Sequence, residues 1–216
     1  MKIYVIRHGE TALNAAHVKQ GWVDEPLNEA GRELARLTGR ALSGVRFDAC
    51  VSSPLVRAKE TVELVLRESG NGAVPVQIDE RIKEFNFGEE ENKPVPKELP
   101  ATGIARLYYL DALNFPGYPG GESIRHLCQR TGAFLKELVA RDDGKTWLIG
   151  IHGCALRAML NPLYEHPEHF WQGCVPPNCA VTILEVRDGK PVIVEKDRVY
   201  YDHALLKDHH GGIRRI

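Results

Sequence analysis

Apolar and polar positions along the chain alternate in blocks that predict strands and helices in turn. Ile3, Tyr4, Val5 and Ile6 make a β-branched run that predicts a buried strand over 1–6. It breaks into Arg7-His8-Gly9-Glu10-Thr11, and 11–25 is polar and irregular. Asn28 suits an N-cap, and Leu34, Ala35, Leu37, Thr38, Ala41 and Leu42 recur at helical spacing up to Gly44. A second strand is expected over 47–51. Ser52-Ser53-Pro54 then reads as a helix start, with serine as cap and proline at the first helical position, and that helix runs to about Gly70. Residues 74–78, with Pro75, suit an edge strand. A helix is expected within 98–113, and a clearer one from Ser123 with Ile124, Leu127, Phe134, Leu135 and Leu138 on one face. A buried strand over 146–151 ends in His152-Gly153, and a helix follows over 154–160. Residues 179–186 and 191–194 flank Asp188-Gly189 as a hairpin. From Tyr200 the chain reads as a loosely ordered tail. Strands alternating with helices predict a layered α/β fold.

Composition narrows the class without changing that picture. At 216 residues and 43 % apolar, the chain suits one domain over 1–216 with one sizeable core. A net charge of −1 lacks the basic face that nucleic-acid or membrane-surface binding needs. No run approaches a membrane span, and with a strand predicted from Met1 and no basic region, apolar stretch and cleavage site there, no signal peptide is expected. Five cysteines without CxxC spacing suit reduced thiols, and a cytoplasmic location is expected.

The chemistry gathers where apolar strands end. One ends in Arg7-His8-Gly9, one at Ser52-Ser53 with Arg57 in the next helix, and one in His152-Gly153. In a parallel sheet these ends lie side by side, where α/β folds bind ligands. Arg7, Arg57, His8 and His152 can then form an anion site of phosphate size, assisted by helix N-termini. Imidazole is also a competent nucleophile near neutral pH.

These residues belong to a longer ordered set. It continues through Asn14, Gln20-Gly21, Asp24, Pro26-Leu27, Gly31, Leu55, Ala58 and Thr61, then Glu84, Phe87-Gly88, Gly120-Gly121-Glu122-Ser123 and Arg157. With this set the chain resembles the histidine phosphatase superfamily, also called phosphoglycerate mutase-like, and its phosphatase branch in particular. The resemblance implies a three-layer α/β/α sandwich with a mostly parallel central sheet. It implies His8 as the nucleophile that becomes a phosphohistidine, and Arg7, Arg57 and His152 as holders of the phosphoryl oxygens. Glu84 would be the general acid and then the base. Asn14, Gln20 and Gly21 would line the rim, Gly153 would adjoin the phosphoryl site, and Glu122 and Ser123 would contact substrate or close the entrance. No metal and no cofactor are implied, and the partner is a small phosphorylated substrate.

The set has departures. After Gly88 many phosphatases continue with an aromatic or acidic residue and then Glu-Gly; here the chain reads Glu89-Glu90-Glu91-Asn92. That leaves Glu89 and Glu90 as rival acids, and if the acidic loop Glu89 to Glu91 overhangs the entrance it predicts poor tolerance of highly anionic substrates. Cys154 stands where a second glycine is common, and a thiol there is either a small packing group or oxidisable. Solvated carboxylates, loop caps and helix-end acids are the ordinary roles of Glu84, Asn14 with Gln20, and Glu122 respectively. His166 and His169 have a metal-like spacing without further ligands. Three functions stay open: a phosphomonoester hydrolase, a mutase that returns the phosphoryl group to another hydroxyl, and a non-catalytic phospho-ligand binder. Hydrolysis is favoured because the chain is shorter than mutases usually are.

Overall fold

Strand β1 (Lys2–Arg7) is followed by helix α1 (Ala12–Ala15), helix α2 (Glu29–Ala41), strand β2 (Ala49–Ser52), helix α3 (Val56–Glu68) and strand β3 (Val76–Ile78). A segment of short 3-10 turns leads to α4 (Ile104–Leu110), then α5 (Ile124–Arg141), β4 (Thr146–Ile151), α6 (Gly153–Leu160) and the hairpin β5 (Val181–Arg187) and β6 (Lys190–Arg198). The structure, a computed structural model, describes residues 1–172 and 175–205.

The six strands form one sheet in the order β3-β2-β4-β1-β5-β6. β3, β2, β4 and β1 run parallel, and β5 and β6 are antiparallel. The period-two direction of side chains along a strand makes two cores. Ile3 and Val5 of β1 face a core built with α5 and α6, while Tyr4 and Ile6 face a second core built with α2 and α3. The result is a three-layer sandwich. Because β4 lies between β2 and β1, the C-terminal ends of the three strands stand together. The ladder continues past them: His8 N–H donates to Ile151 O at 3.0 Å and Ser53 N–H to Gly150 O at 2.9 Å.

Local caps agree with the sequence at two helices. Asn28 accepts from Gly31 N–H at the start of α2, and Ser123 from His126 N–H at the start of α5. The helix expected within 98–113 is α4, seven residues long. Three expectations need correction. The irregular stretch after Thr11 holds α1, because Thr11 and Asn14 satisfy each other in a capping box. Ser53 does not cap α3, which starts after Leu55 with no side-chain cap from its own segment. The Val56 N–H is taken instead by Asp24 Oδ1 at 2.7 Å, while Ser53 Oγ lies 2.7 Å from His152 Nε2. The chain from Tyr200 is not loose as far as it is described: Tyr201 is buried and its hydroxyl donates to Asn178 O at 2.6 Å. The remainder of that expected tail, 206–216, lies outside the described residues. Among the described residues no helix is long and apolar enough to cross a membrane.

Candidate active site

The ends of β1 and β4 place two imidazoles side by side. The His8 and His152 rings are 5.2 Å apart between centroids and tilted by 56°. His8 Nδ1 lies 2.7 Å from Gly9 O. A carbonyl only accepts, so the proton sits on Nδ1 and the lone pair on Nε2. The turn carrying His8 is held by Gly9 N–H donating to Thr61 Oγ1, and by Asn178 Nδ2 donating to His8 O at 3.0 Å. His152 is fully buried. Burial first, then chiefly the charge of Arg57, with Arg130 and Arg7 adding to it, holds its pKa well below the usual imidazole range, so it is neutral. Ser53 Oγ accepts a long bond from Leu55 N–H and lies 2.7 Å from His152 Nε2. The other ring nitrogen of His152, Nδ1, has no hydrogen-bond partner.

Both arginines are buried. Arg57, on α3, donates from Nη1 to Val23 O at 2.8 Å and from Nη2 to Gly21 O at 2.7 Å, and its Nε has no partner. Burial lowers its pKa to about 10 despite the nearby charge of Glu84. Arg7 donates from Nη1 to Pro176 O, and burial lowers its pKa against the opposing pull of Glu84. A Cβ on Gly153 would sit 3.6 Å from Arg7 Nε and 2.3 Å from Val175 Cγ1, so only glycine fits that wall.

Glu84 reaches the first turn of α6. Its Oε1 accepts from Phe85 N–H at 2.8 Å and Ala155 N–H at 2.9 Å, and its Oε2 accepts from Cys154 N–H at 3.1 Å. These donors and Arg57 favour the ionised form, yet burial outweighs them and the pKa is raised. Oε2, with the single donor, is the oxygen with room for a proton.

The remaining expected site residues divide. Gln20 Oε1 accepts from Thr11 Oγ1 at 2.8 Å and from Asn14 Nδ2 at 3.5 Å, and Asn178 Nδ2 donates to Asn14 Oδ1 at 3.3 Å, so Asn14 and Gln20 belong to the shell beside His8. Gly21 carries the carbonyl that holds Arg57, and a Cβ there would meet Phe85 O at 2.2 Å. Glu122 instead has its carboxylate engaged by Arg130, His126 and Asn86 N–H, and Ser123 caps α5. Two of the three acids that follow Gly88 are engaged within the protein, and the third, Glu89, is exposed. Glu90 pairs with Lys19 at 2.6 Å and Lys93 at 2.7 Å, and Glu91 accepts from the N–H groups of Gly21, Trp22 and Phe87. Asn92 takes the left-handed φ of +62° for which glycine is favoured, so the departure from Glu-Gly leaves the turn intact. Glu90, bound to two lysines, is no rival to Glu84. Cys154 Sγ is 3.4 Å from Tyr108 Oη, inside the core. His166 and His169 stand on the exposed loop near Glu168, and among the described residues no group of three or more His, Cys, Asp or Glu is placed to hold a metal ion.

Sequence reasoning missed Ser53 as the partner of His152, and it missed Asn178, Arg130 and Glu91. Each acts through a bond to a residue distant in the chain, and no local pattern marks it.

The sequence model of the "Histidine phosphatase superfamily (branch 1)" matches residues 3–198. The chain belongs to that family. Within the histidine phosphatases it is 29 % identical over 189 residues to "Probable phosphoglycerate mutase GpmB" of Yersinia pestis, covering 88 % of this chain and 86 % of that one. The shares are nearly equal, so chain length does not separate mutase from phosphatase. The fold is similar to that of Bacillus stearothermophilus YhfR, with a TM-score of 0.81 and 31 % identity over 92 % of this chain and 97 % of the other. It is also similar to a mutant phosphoserine phosphatase of Entamoeba histolytica in complex with phosphoserine, with a TM-score of 0.78 and 26 % identity over 91 % and 98 % of the two chains. The histidine phosphatase family thus includes both phosphatases and mutases among the relatives of this chain.

Proposed function

We propose that this protein hydrolyses phosphomonoesters through a phosphohistidine on His8. The observation that carries the reading is a pair of buried nitrogens without partners, Arg57 Nε and His152 Nδ1, the latter on a ring whose centroid is 5.2 Å from that of His8, whose lone pair is on Nε2. Each unsatisfied buried donor costs about 1–3 kcal/mol, which an anion relieves on binding. A phosphoryl group accepts from both, and Arg7 adds charge beside them. His8 Nε2 attacks phosphorus as the ester P–O bond breaks, and Glu84 gives its proton to the leaving oxygen. Glu84, now a carboxylate, takes a proton from water. The water oxygen attacks phosphorus, the P–N bond breaks, and inorganic phosphate leaves with His8 and Glu84 restored. Asn14, Gln20 and Gly21 line the approach, and Gly153 keeps the wall beside Arg7 open. Charge on the transferring group is met by preorganised donors, the main source of rate in such reactions.

The similarity to the mutase-named relative favours a second reading, in which the phosphohistidine returns its phosphoryl group to another hydroxyl. A panel of metabolite phosphate esters separates the two. Hydrolysis predicts inorganic phosphate as the main product and an acid-labile phosphoenzyme, both lost in His8→Ala with a fall of at least about 10⁴-fold. Interconversion of 3- and 2-phosphoglycerate faster than phosphate release establishes the mutase. Phosphate binding by His8→Ala, with no turnover of any ester by the unaltered protein, establishes a binder.

A further inference from the structure

The segment that presents Glu84 has almost no regular structure. After a 3-10 turn over Glu80–Ile82 the chain runs irregularly to the next turn at Gly88–Glu90. An acid on such a segment depends on whatever fixes its main chain, and here one side chain from α5 binds three of its carbonyls. Arg130 donates from Nη1 to Arg81 O at 2.8 Å and Lys83 O at 2.7 Å. From Nη2 it donates to Glu84 O at 2.7 Å and Glu122 Oε1 at 2.6 Å, and from Nε to Glu122 Oε2 at 3.1 Å. All five guanidinium protons are used. Glu122 completes the clamp: its Oε1 accepts from Asn86 N–H at 2.9 Å and its N–H donates to Asn86 O at 3.1 Å. On the other side Trp22 Nε1 donates to Glu84 O at 2.8 Å.

We propose that Arg130, braced by Glu122, is the positioning residue that aims the Glu84 carboxyl at the leaving oxygen. Glu122 therefore acts through Arg130 and the main chain of the acid, and its carboxylate does not meet the substrate. The geometry suits the task. A planar fork with five donors fixes the carbonyl directions of Arg81, Lys83 and Glu84 at once, which a lysine ammonium on a flexible stem cannot do. Charge-assisted bonds to main-chain oxygens are also roughly twice as strong as neutral ones. Glu84 has no helix or strand of its own to hold it, so displacing the segment by about 1 Å withdraws the proton from the leaving group, a change that can cost about 10²-fold.

This inference rests on the reading of Glu84 as proton donor, and the test keeps the two apart. p-Nitrophenolate leaves without a proton, whereas phenolate benefits from one. The ratio of kcat/KM for p-nitrophenyl phosphate to that for phenyl phosphate therefore measures delivery of the proton. It is internal to each preparation, so partial unfolding cancels. Glu84→Gln is expected to raise the ratio by about 10²-fold or more, within the range of general acid catalysis. Arg130→Gln is expected to raise it about tenfold and Glu122→Gln by less, with Arg130→Lys between Arg130→Gln and the unaltered protein. If Glu84→Gln raises the ratio and Arg130→Gln and Glu122→Gln lower both rates in proportion, or lower neither, Arg130 is a structural strut and the inference is wrong while Glu84 keeps its role. If Glu84→Gln leaves the ratio where it was, Glu84 is not the acid and both statements fall.

Discussion

Arg57 and Arg157 are both fully buried guanidinium groups, and the fold treats them in opposite ways. Arg157, on α6, meets Asp197 of β6 at 2.6 Å and the Tyr164 hydroxyl at 3.0 Å, and these partners raise its pKa in spite of burial. Arg57 meets two main-chain carbonyls, keeps an unpartnered Nε, and has its pKa lowered to about 10. One cation is neutralised within the protein and ties a helix to a strand. The other is oriented by neutral dipoles and its charge is left over for an anion from outside. Burial alone therefore does not mark a functional arginine; a missing carboxylate partner does.

The contrast is open to direct attack. The largest expected effect is on Arg57→Met, which removes the donor at Nε and the positive charge that would face the transferring group. kcat/KM should fall about 10²–10³-fold in a phosphate-release assay, the usual cost of losing one such donor. Near-normal turnover would mean that the unsatisfied nitrogen serves nothing.

Arg157→Met should do the reverse. It leaves Asp197 without its partner and should cost about 3 kcal/mol in denaturant unfolding, with turnover per folded molecule little changed. Adding Asp197→Asn should recover part of that loss; asparagine is chosen because Asp197 has a φ of +52°, which it tolerates. Equal losses of activity in the Arg57 and Arg157 variants would erase the distinction.

A smaller effect follows from pH. The raised pKa of Glu84 keeps it protonated above the ordinary carboxyl range, so kcat/KM for phenyl phosphate should fall as pH rises through that raised value. Glu84→Gln should lack this limb. His152 shifts the other way. The folded protein keeps it neutral while the unfolded chain takes up a proton, so its stability contribution is whole above the usual imidazole pKa. It is lost as pH falls below that value, by up to about 1.4 kcal/mol per pH unit. His152→Asn should flatten that slope in pH-dependent unfolding.

The smallest expected effect concerns the turn behind Arg57. Glu91 accepts from Gly21 and Trp22 N–H, and Gly21 O in turn holds Arg57. Asn92→Ala, at φ +62°, should cost about 1 kcal/mol in unfolding, while Asn92→Gly should be close to neutral. A stable Asn92→Ala protein would show that the turn is not strained.

Sequence alone determined the order of strands and helices apart from α1, and the placement of Arg7, His8 and His152 at strand ends. Those signals are local: β-branched runs such as 3–6, and capping residues such as Asn28 and Ser123 that bond within three positions. The matching residue set also located Arg57 and Glu84 before any contact was known. Tertiary structure decided what those groups are. It took the cap of α3 from Asp24, bound Ser53 to His152 across the sheet, neutralised Glu90 with Lys19, and turned Glu122 toward Arg130. Propensity and periodicity describe a residue and its near neighbours. Protonation and orientation are set by burial and by hydrogen-bond partners that the chain brings in from far away.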